Sequence, residues 1–392
     1  MHLLSAVQLA WFNTTDDWRR MIVRCSGIAF AVALMFLEIG FRNALFDSNV
    51  RIIDEKITAD LVIRSASRYM LSSRQLLSLD AIRAARSCVG VGSIEPMYLE
   101  SRASEIRCAG CLSRRVRVLA FDPNKHVFAN FGLASIADRL ADIGSAAADI
   151  KSKTFFGFPK RLQNRPSATE YELAGKKLHL VGLFASGIDF SNDGNLIMTP
   201  HNFAHFFPLR ADGNPLSQVD YGFVCCDTAV DQGLVIARLQ QLLGPSVIVQ
   251  TRRAFLESER EFWRNSTPIG LVFWVGTIIG FVVGMSICYQ VLATDIADHL
   301  SEFSTLKAMG HSTGYFVSVV VAQALILSVI SFIPGVLVAL ASFRVTNIGT
   351  GLDLFLNFER TAFVGGLTIL MCVFSGILAL RKLLIADPAS LY

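Results

Sequence analysis

Residues 268–293 read PIGLVFWVGTIIGFVVGMSICYQVLA. No charged side chain occurs anywhere from 265 to 294. A helix needs about 20 consecutive apolar residues to cross a bilayer, so this stretch is long enough to span one. Stretches 308–343 and 361–380 are equally free of charge. They give two further spans, at 315–343 and 361–380. A fourth, at 21–45, is interrupted by Arg24 and Glu38. These lie 14 residues apart, about 21 Å along a helix, so they cannot pair with each other. Arg24 is placed to snorkel to one interface. Glu38 precedes Arg42 by four residues, the favourable order for an i,i+4 pair, near the other interface.

Composition agrees. Of 392 residues, 52% are hydrophobic and 17% charged, against about 25% charged in a soluble domain. Mean hydropathy is +0.47. Net charge is +4, too mild to indicate nucleic acid. The charges are segregated: 27 of the 36 Lys and Arg and 23 of the 32 Asp and Glu fall within 46–264. A polar insert is therefore framed by apolar ends. The expected fold is an α-helical membrane protein with four transmembrane helices and an α+β domain inserted between helices one and two.

The expected order is an N-terminal amphipathic segment 1–20, span 21–45, the inserted domain 46–264, span 268–293, a connecting loop 294–313, span 315–343, loop 344–360, span 361–380 and tail 381–392. Leu4, Val7, Trp11 and Trp18 have a helical spacing that suits the membrane surface; the alternative is a polar leader to the first span. A cleaved signal peptide is disfavoured, because Glu-Ile-Gly-Phe-Arg follows Leu37 where small-x-small is needed. Four spans put both termini on one side. That side carries Arg19, Arg20, Arg24, Lys307, Arg381 and Lys382, while Thr346–Glu359 has no Lys or Arg. The positive-inside rule then makes the termini cytoplasmic and the insert external.

Within the insert, Ala59–Arg64, Arg115–Phe121, Lys177–Phe184, Tyr221–Cys226 and Val247–Thr251 read as strands. Ser73–Arg86, Leu133–Ile143 and Asp231–Leu243 read as helices, the last closed by Gly244-Pro245. The insert is large enough for two lobes. Thr251–Asn265 reads as a helix running straight into the second span.

Catalytic signals are sparse. Cys108-Ala-Gly-Cys111 lacks the second pair that a zinc site requires and reads as a hairpin tip, closed by a disulfide in an oxidising compartment. His201 and His205 have an i,i+4 spacing, so a metal pair is conceivable, with surface or core histidines the commoner outcome. Cys25, Cys288 and Cys372 fall in spans and read as packing residues. No G-x-S-x-G occurs. The only Gly-Lys, Gly175-Lys176, lacks the rest of a Walker A sequence. No catalytic, cofactor or metal residues are assigned, and any ATP is bound by another chain.

The loop after span two carries Leu300, Phe303, Leu306 and Met309 at every third position, one apolar face on a short helix. Asp295 and Asp298 at its start and Lys307 near its end suit the helix dipole, and Gly310 is placed as a stop. Such a face needs a groove to bury it or a membrane surface. In span two, Gly276, Gly280 and Gly284 recur every four residues, a face on which helix backbones approach closely.

The order span, large external domain, three spans resembles the permeases of the MacB/FtsX/LolC superfamily of ABC transporters. Glu302-Phe-Ser-Thr-Leu-Lys-Ala-Met-Gly310 resembles their coupling-helix signature, and Ala386-Asp-Pro-Ala-Ser-Leu391 their short C-terminal motif. Gly40-Phe-Arg-Asn-Ala-Leu-Phe-Asp47, Asn265-Ser-Thr-Pro-Ile-Gly270 and Tyr289–Gly310 are closest to the DevC family, permeases of the DevBCA exporter type. The C-x-x-C is not a family feature.

The resemblance implies a homodimeric, non-catalytic permease of the bacterial inner membrane, seated on a separate ATPase. Its periplasmic domains would press cargo into an adaptor (membrane fusion protein) and outer-membrane duct. DevC relatives are linked to glycolipid export, which implies a lipid-like or hydrophobic cargo. Asp298, Leu300, Glu302, Phe303, Leu306, Lys307, Met309 and Gly310 would couple the chain to the ATPase. Three other readings are FtsX-like signalling to a periplasmic partner, LolC-like lipoprotein release, and a membrane-anchored enzyme using Cys108 and Cys111 as a redox pair.

Overall fold

The computed structural model describes residues 7–12, 18–108, 113–160, 170–227, 230–299, 305, 309–310, 312–350, 352 and 354–385. It divides into a helical unit, Met1–Ala44 with Pro268–Tyr392, and a sheet unit, Leu45–Thr267.

Among the described residues, four helices are long and apolar enough to cross a membrane. They are α1 (Trp18–Lys56), α7 (Pro268–Asp298), α8 (Thr313–Thr350) and α9 (Phe358–Ile385). Each outruns its expected span, because polar residues continue the helix beyond the apolar core. The helical unit packs where side chains are small. A Cβ on Gly335 of α8 would come within 2.7 Å of Val32 in α1, and one on Gly40 within 2.6 Å of Phe343. Ala31, Val32, Met35 and Phe36 of α1 join Cys288 and Leu292 of α7, Val320 of α8 and Met371 of α9 in one buried cluster. Between α8 and α9, Asn347 pins the connection: its amide donates to Leu354 O (3.0 Å) and accepts from Leu354 N (2.8 Å).

The sheet unit is built on one eleven-stranded mixed sheet in the order β13-β1-β12-β3-β6-β10-β7-β9-β8-β4-β5. Its strands run β1 (Leu61–Ser65), β3 (Val91–Glu100), β4 (Glu105–Cys108), β5 (Arg114–Arg115), β6 (Arg117–Ala120), β7 (Ser145–Asp149), β8 (Tyr171–Leu173), β9 (Lys176–Phe184), β10 (Asn195–Met198), β12 (Tyr221–Cys226) and β13 (Val247–Thr251). A short pair, β2 (Leu77–Ser78) with β11 (Gln218–Val219), stands apart. The pairs β6–β10 and β7–β9 are parallel.

Both faces of this sheet are covered. Leu61 and Ile63, Val118 and Ala120, Ala146 and Ala148, and Leu196 and Met198 point into one core. The residues between them, Val62, Leu119, Ala147 and Ile197, point into the other. This is the period-two alternation of a strand, and two dry faces explain why these strands read as unbroken apolar runs. The helices α2 (Leu79–Arg86), α4 (Pro200–Phe206) and α5 (Gln232–Leu243) contribute to the first core. The end of α1 (Val50, Ile52, Ile53) and α6 (Arg252–Asn265) close the second.

Two helix expectations need correction. Ser73–Arg86 is helical only from Leu79, because Ser78 accepts the Asp80 N–H as an N-cap and Leu77–Ser78 pairs as a strand. Leu133–Ile143 breaks into a 3₁₀ turn and a five-residue helix, α3 (Ala137–Ala141).

Candidate coupling site in the helical unit

Acid and base converge where α7 ends. Asp295 and Asp298 lie in its last turns, not at the start of a separate helix. There they oppose the helix dipole, and cations from α1 offset them. Arg24 is ion-paired to Asp295 and lies 3.8 Å from Asp298, which Arg20 approaches to 3.3 Å. The Arg24 and Asp295 side chains are 11% and 1% exposed. Arg24 is thus a buried partner rather than a snorkelling one. His299 adds a third basic side chain, its Nδ1 3.8 Å from Asp295. From the sequence, Arg20 reads as a flanking charge and Asp295 as a helix-start charge, and neither is assigned a partner. The signal was present as opposite charges at the same-side ends of two spans.

The expected coupling residues are only partly placed. Asp298 is in this cluster, Met309 is exposed, and Gly310 adopts φ +93°. That angle suits the stop assigned to Gly310, since L side chains rarely adopt it. Met309 N–H donates to Thr305 O (3.0 Å), one turn of helix before the stop. Leu300, Glu302, Phe303, Leu306 and Lys307 lie outside the described residues.

The glycine face of α7 is occupied from within the chain. A Cβ on Gly276 would overlap the Glu38 carboxylate, and one on Gly280 would lie 3.2 Å from it. Further along, a Cβ on Gly284 would overlap Met371 of α9 and meet Ala31 of α1 at 3.2 Å. The stripe thus seats α1 and α9 of the same chain. One turn on, the buried Cys288 and Cys372 thiols face each other at 3.6 Å, consistent with packing.

Where the sheet unit meets α7, the sequence expectation fails. Helix α6 ends at Asn265 with Ser266 as its C-cap, and α7 begins afresh at Pro268. Proline has no N–H and disfavours helix in the residue before it. Thr267 instead turns its hydroxyl back to Trp263 O (2.7 Å).

The remaining candidates sit in the sheet unit. Cys108 is disulfide-bonded at the end of the β4–β5 hairpin, where Ile106 pairs with Arg114; Cys111 lies outside the described residues. His201 and His205 share α4. Burial, the Lys176 charge and His201 push the His205 imidazole below its ordinary pKa, an environment that repels cations. Among the described residues no group of three His, Cys, Asp or Glu side chains could hold a metal ion.

Residues 274–388, which run from the glycine face through the acidic end of α7 to α9, match the FtsX-like permease C-terminal family. The match is to the C-terminal part of FtsX-like permeases and covers 115 of the 392 residues. No curated protein matches this chain significantly. Among solved structures, the chain is similar to the periplasmic region of MacB from Actinobacillus actinomycetemcomitans, at 13% identity and TM-score 0.36, covering 55% of this chain and 97% of that one. It is also similar to the extracellular domain of the noncanonic ABC-type transporter YknZ from Gram-positive bacteria, at 10% identity and TM-score 0.34, covering 49% of this chain and 98% of that one.

Proposed function

We propose that this permease is the membrane subunit of a DevC-type exporter in the bacterial inner membrane, with periplasmic sheet units and cytoplasmic termini. A separate ATPase binds the ATP and docks on the loop 294–313. Two copies of the chain form the working permease. ATPase closure displaces the loop and the α1–α7 ends clamped by Arg24 and Asp295. The sheet units then drive a lipid-like cargo, glycolipid among the candidates, into an adaptor and outer-membrane duct. The chain itself catalyses no reaction.

The observation that carries this reading is the FtsX-like match over 274–388, which contains the whole loop. The coupling roles of Asp298, Leu300, Glu302, Phe303, Leu306, Lys307, Met309 and Gly310 rest on the sequence pattern. The clamp supports them, because a displaced loop moves two spans together only if their ends are joined. Helix α1 is a single helix of 39 residues, so movement at its first turns has an unbroken path along it.

Replacing Phe303 and Leu306 by Asp tests the reading. ATP hydrolysis by the co-purified ATPase should become independent of the permease, and export should stop, with the protein still in the membrane. Normal export by the double variant would refute the assignment of the loop.

A further inference from the structure

A polar cavity of about 520 Å³ opens in the sheet unit, within the 300–1,000 Å³ range of small-molecule sites. Its cationic wall is Arg102, Arg114 and Arg115. Facing them is the loop Ser191, Asn192 and Asp193, with the hydroxyls of Ser72, Ser101 and Ser113 around the rim.

The charge in this cavity is unbalanced, because the nearby acids are already engaged. Asp193 is paired with Lys153 (2.5 Å). The Ser113 hydroxyl donates to Glu105. Glu100 is buried and accepts the backbone N–H groups of Ser101, Arg102 and Ala103 at 2.9–3.1 Å. Asp189 is buried against Arg117. Among the described residues none of the three arginines has a carboxylate partner; Arg114 lies over the Phe155 ring at 4.2 Å.

The walls are also fixed in place. The Glu100 carboxylate holds the turn that carries Arg102. The β4–β5 pairing, Glu105 with Arg115 and Ile106 with Arg114, sets the other two. On the facing side, Asp189 accepts from Ser191 N (2.9 Å) and Asn192 Nδ2 (3.2 Å). Asn195 accepts from Arg117 (2.8 Å) and donates to the buried Asp149 (2.8 Å). A guanidinium group binds phosphate or carboxylate through paired N–H donors, and the fixed backbone holds three of them around one opening.

The same two loops carry aromatic surface. Phe190, beside Ser191, is half exposed and meets Trp263 edge-on at 5.8 Å. Tyr69, three residues before Ser72, is half exposed against Phe262 at 5.2 Å. Asn192 Nδ2 reaches Ser72 Oγ (3.5 Å), joining the loops.

We infer that this cavity binds an anionic, hydroxyl-bearing group of the glycerophosphate or sugar-phosphate type. The arginines take the anion; Ser72, Ser101, Ser191 and Asn192 take the hydroxyls. The group is either a free soluble anion or the head of a lipid whose chains lie on Phe190 and Tyr69. The site does not depend on the exporter reading, since its occupancy is measured without an ATPase.

The test is calorimetric titration of the full chain in phosphatidylcholine nanodiscs with glycerol 1-phosphate, with glycerol as the uncharged control, and with dihexanoyl phosphatidylglycerol. Saturable binding of glycerol 1-phosphate but not of glycerol is expected. Arg102→Gln with Arg115→Gln should weaken it roughly ten-fold or more, as loss of charge-assisted hydrogen bonds implies. Ser101→Glu keeps all three arginines and should weaken it likewise by repulsion. Tighter binding of the lipid, reduced to the glycerol 1-phosphate value by Phe190→Ser, assigns a lipid; equal binding assigns a soluble anion. Absence of saturable binding, equal binding of glycerol, or binding unchanged in both the double variant and Ser101→Glu would overturn the site.

Discussion

Arg24, near the start of α1, is ion-paired to Asp295, in the last turns of α7, with both side chains shielded from solvent. The pair joins two helices through residues that are 271 positions apart in sequence. A charge buried without its partner is costly, so the two residues are energetically a unit.

Removing one member is expected to cost about 3–5 kcal/mol. Arg24→Leu should lower the thermal midpoint of the detergent-purified chain, and Asp295→Leu should do the same. The double variant, with no orphaned charge, should recover most of the loss. A double variant as unstable as the sum of the two would show that the residues act separately.

The glycine face gives a steric prediction. Gly280→Leu forces its side chain into Glu38 and should separate α1 from α7, so that export or ATPase coupling falls steeply. Phe281→Leu keeps an apolar side chain of similar reach and should be tolerated. Export assays on matched membrane levels distinguish them; equal export by the two would remove the stripe from the mechanism.

Glu259 of α6 gives a pH dependence. Burial raises its carboxyl to about 7, against hydrogen bonds from Leu71 N–H and Trp263 Nε1–H and the charges of Arg68 and Arg64. Its folded pKa therefore exceeds the ordinary value of 4.5. The native state holds the proton more tightly, so stability is fullest below pH ~4.5 and is lost as pH rises towards 7. The loss is about 3 kcal/mol across that window. Thermal unfolding between pH 5 and 8 should show this slope, and Glu259→Gln, which keeps an acceptor, should flatten it.

The proposed orientation is checked by labelling. Leu209 is 88% exposed, so a cysteine there, with the other accessible cysteines changed to serine, is open to reagent. A membrane-impermeant maleimide should react in cells with a permeabilised outer membrane. Reaction only after the inner membrane is broken would reverse the topology.

The sequence alone determined what depends on composition and on neighbours along the chain. Four spans follow from unbroken apolar length, since a bilayer admits little else. The position of the sheet unit follows from the segregation of charge. The stop at Gly310 and the helix start at Asp231 follow from local backbone chemistry, which a few adjacent residues fix, whereas the cap at Ser78 lies inside a stretch that reads through as helix. The loop pattern from Glu302 to Gly310 was legible for the same reason, as a short periodic segment.

Only the tertiary structure decided which residues meet across long separations. Arg24 and Asp295 each looked like a helix-end charge, and nothing local said that they pair. Gly276 and Gly280 offered a bare face, while the choice of Glu38 as its occupant depended on how α1 and α7 lie side by side. The break at Ser266 was masked by the helical pattern of Thr251–Asn265, because capping at Thr267 and Pro268 outweighed the helical periodicity. Nothing in the local sequence links Arg102 to Arg114 and Arg115. They became a site because pairing of β4 with β5, and the buried Glu100 and Asp189 carboxylates, bring the loops around 102, 114 and 191 together.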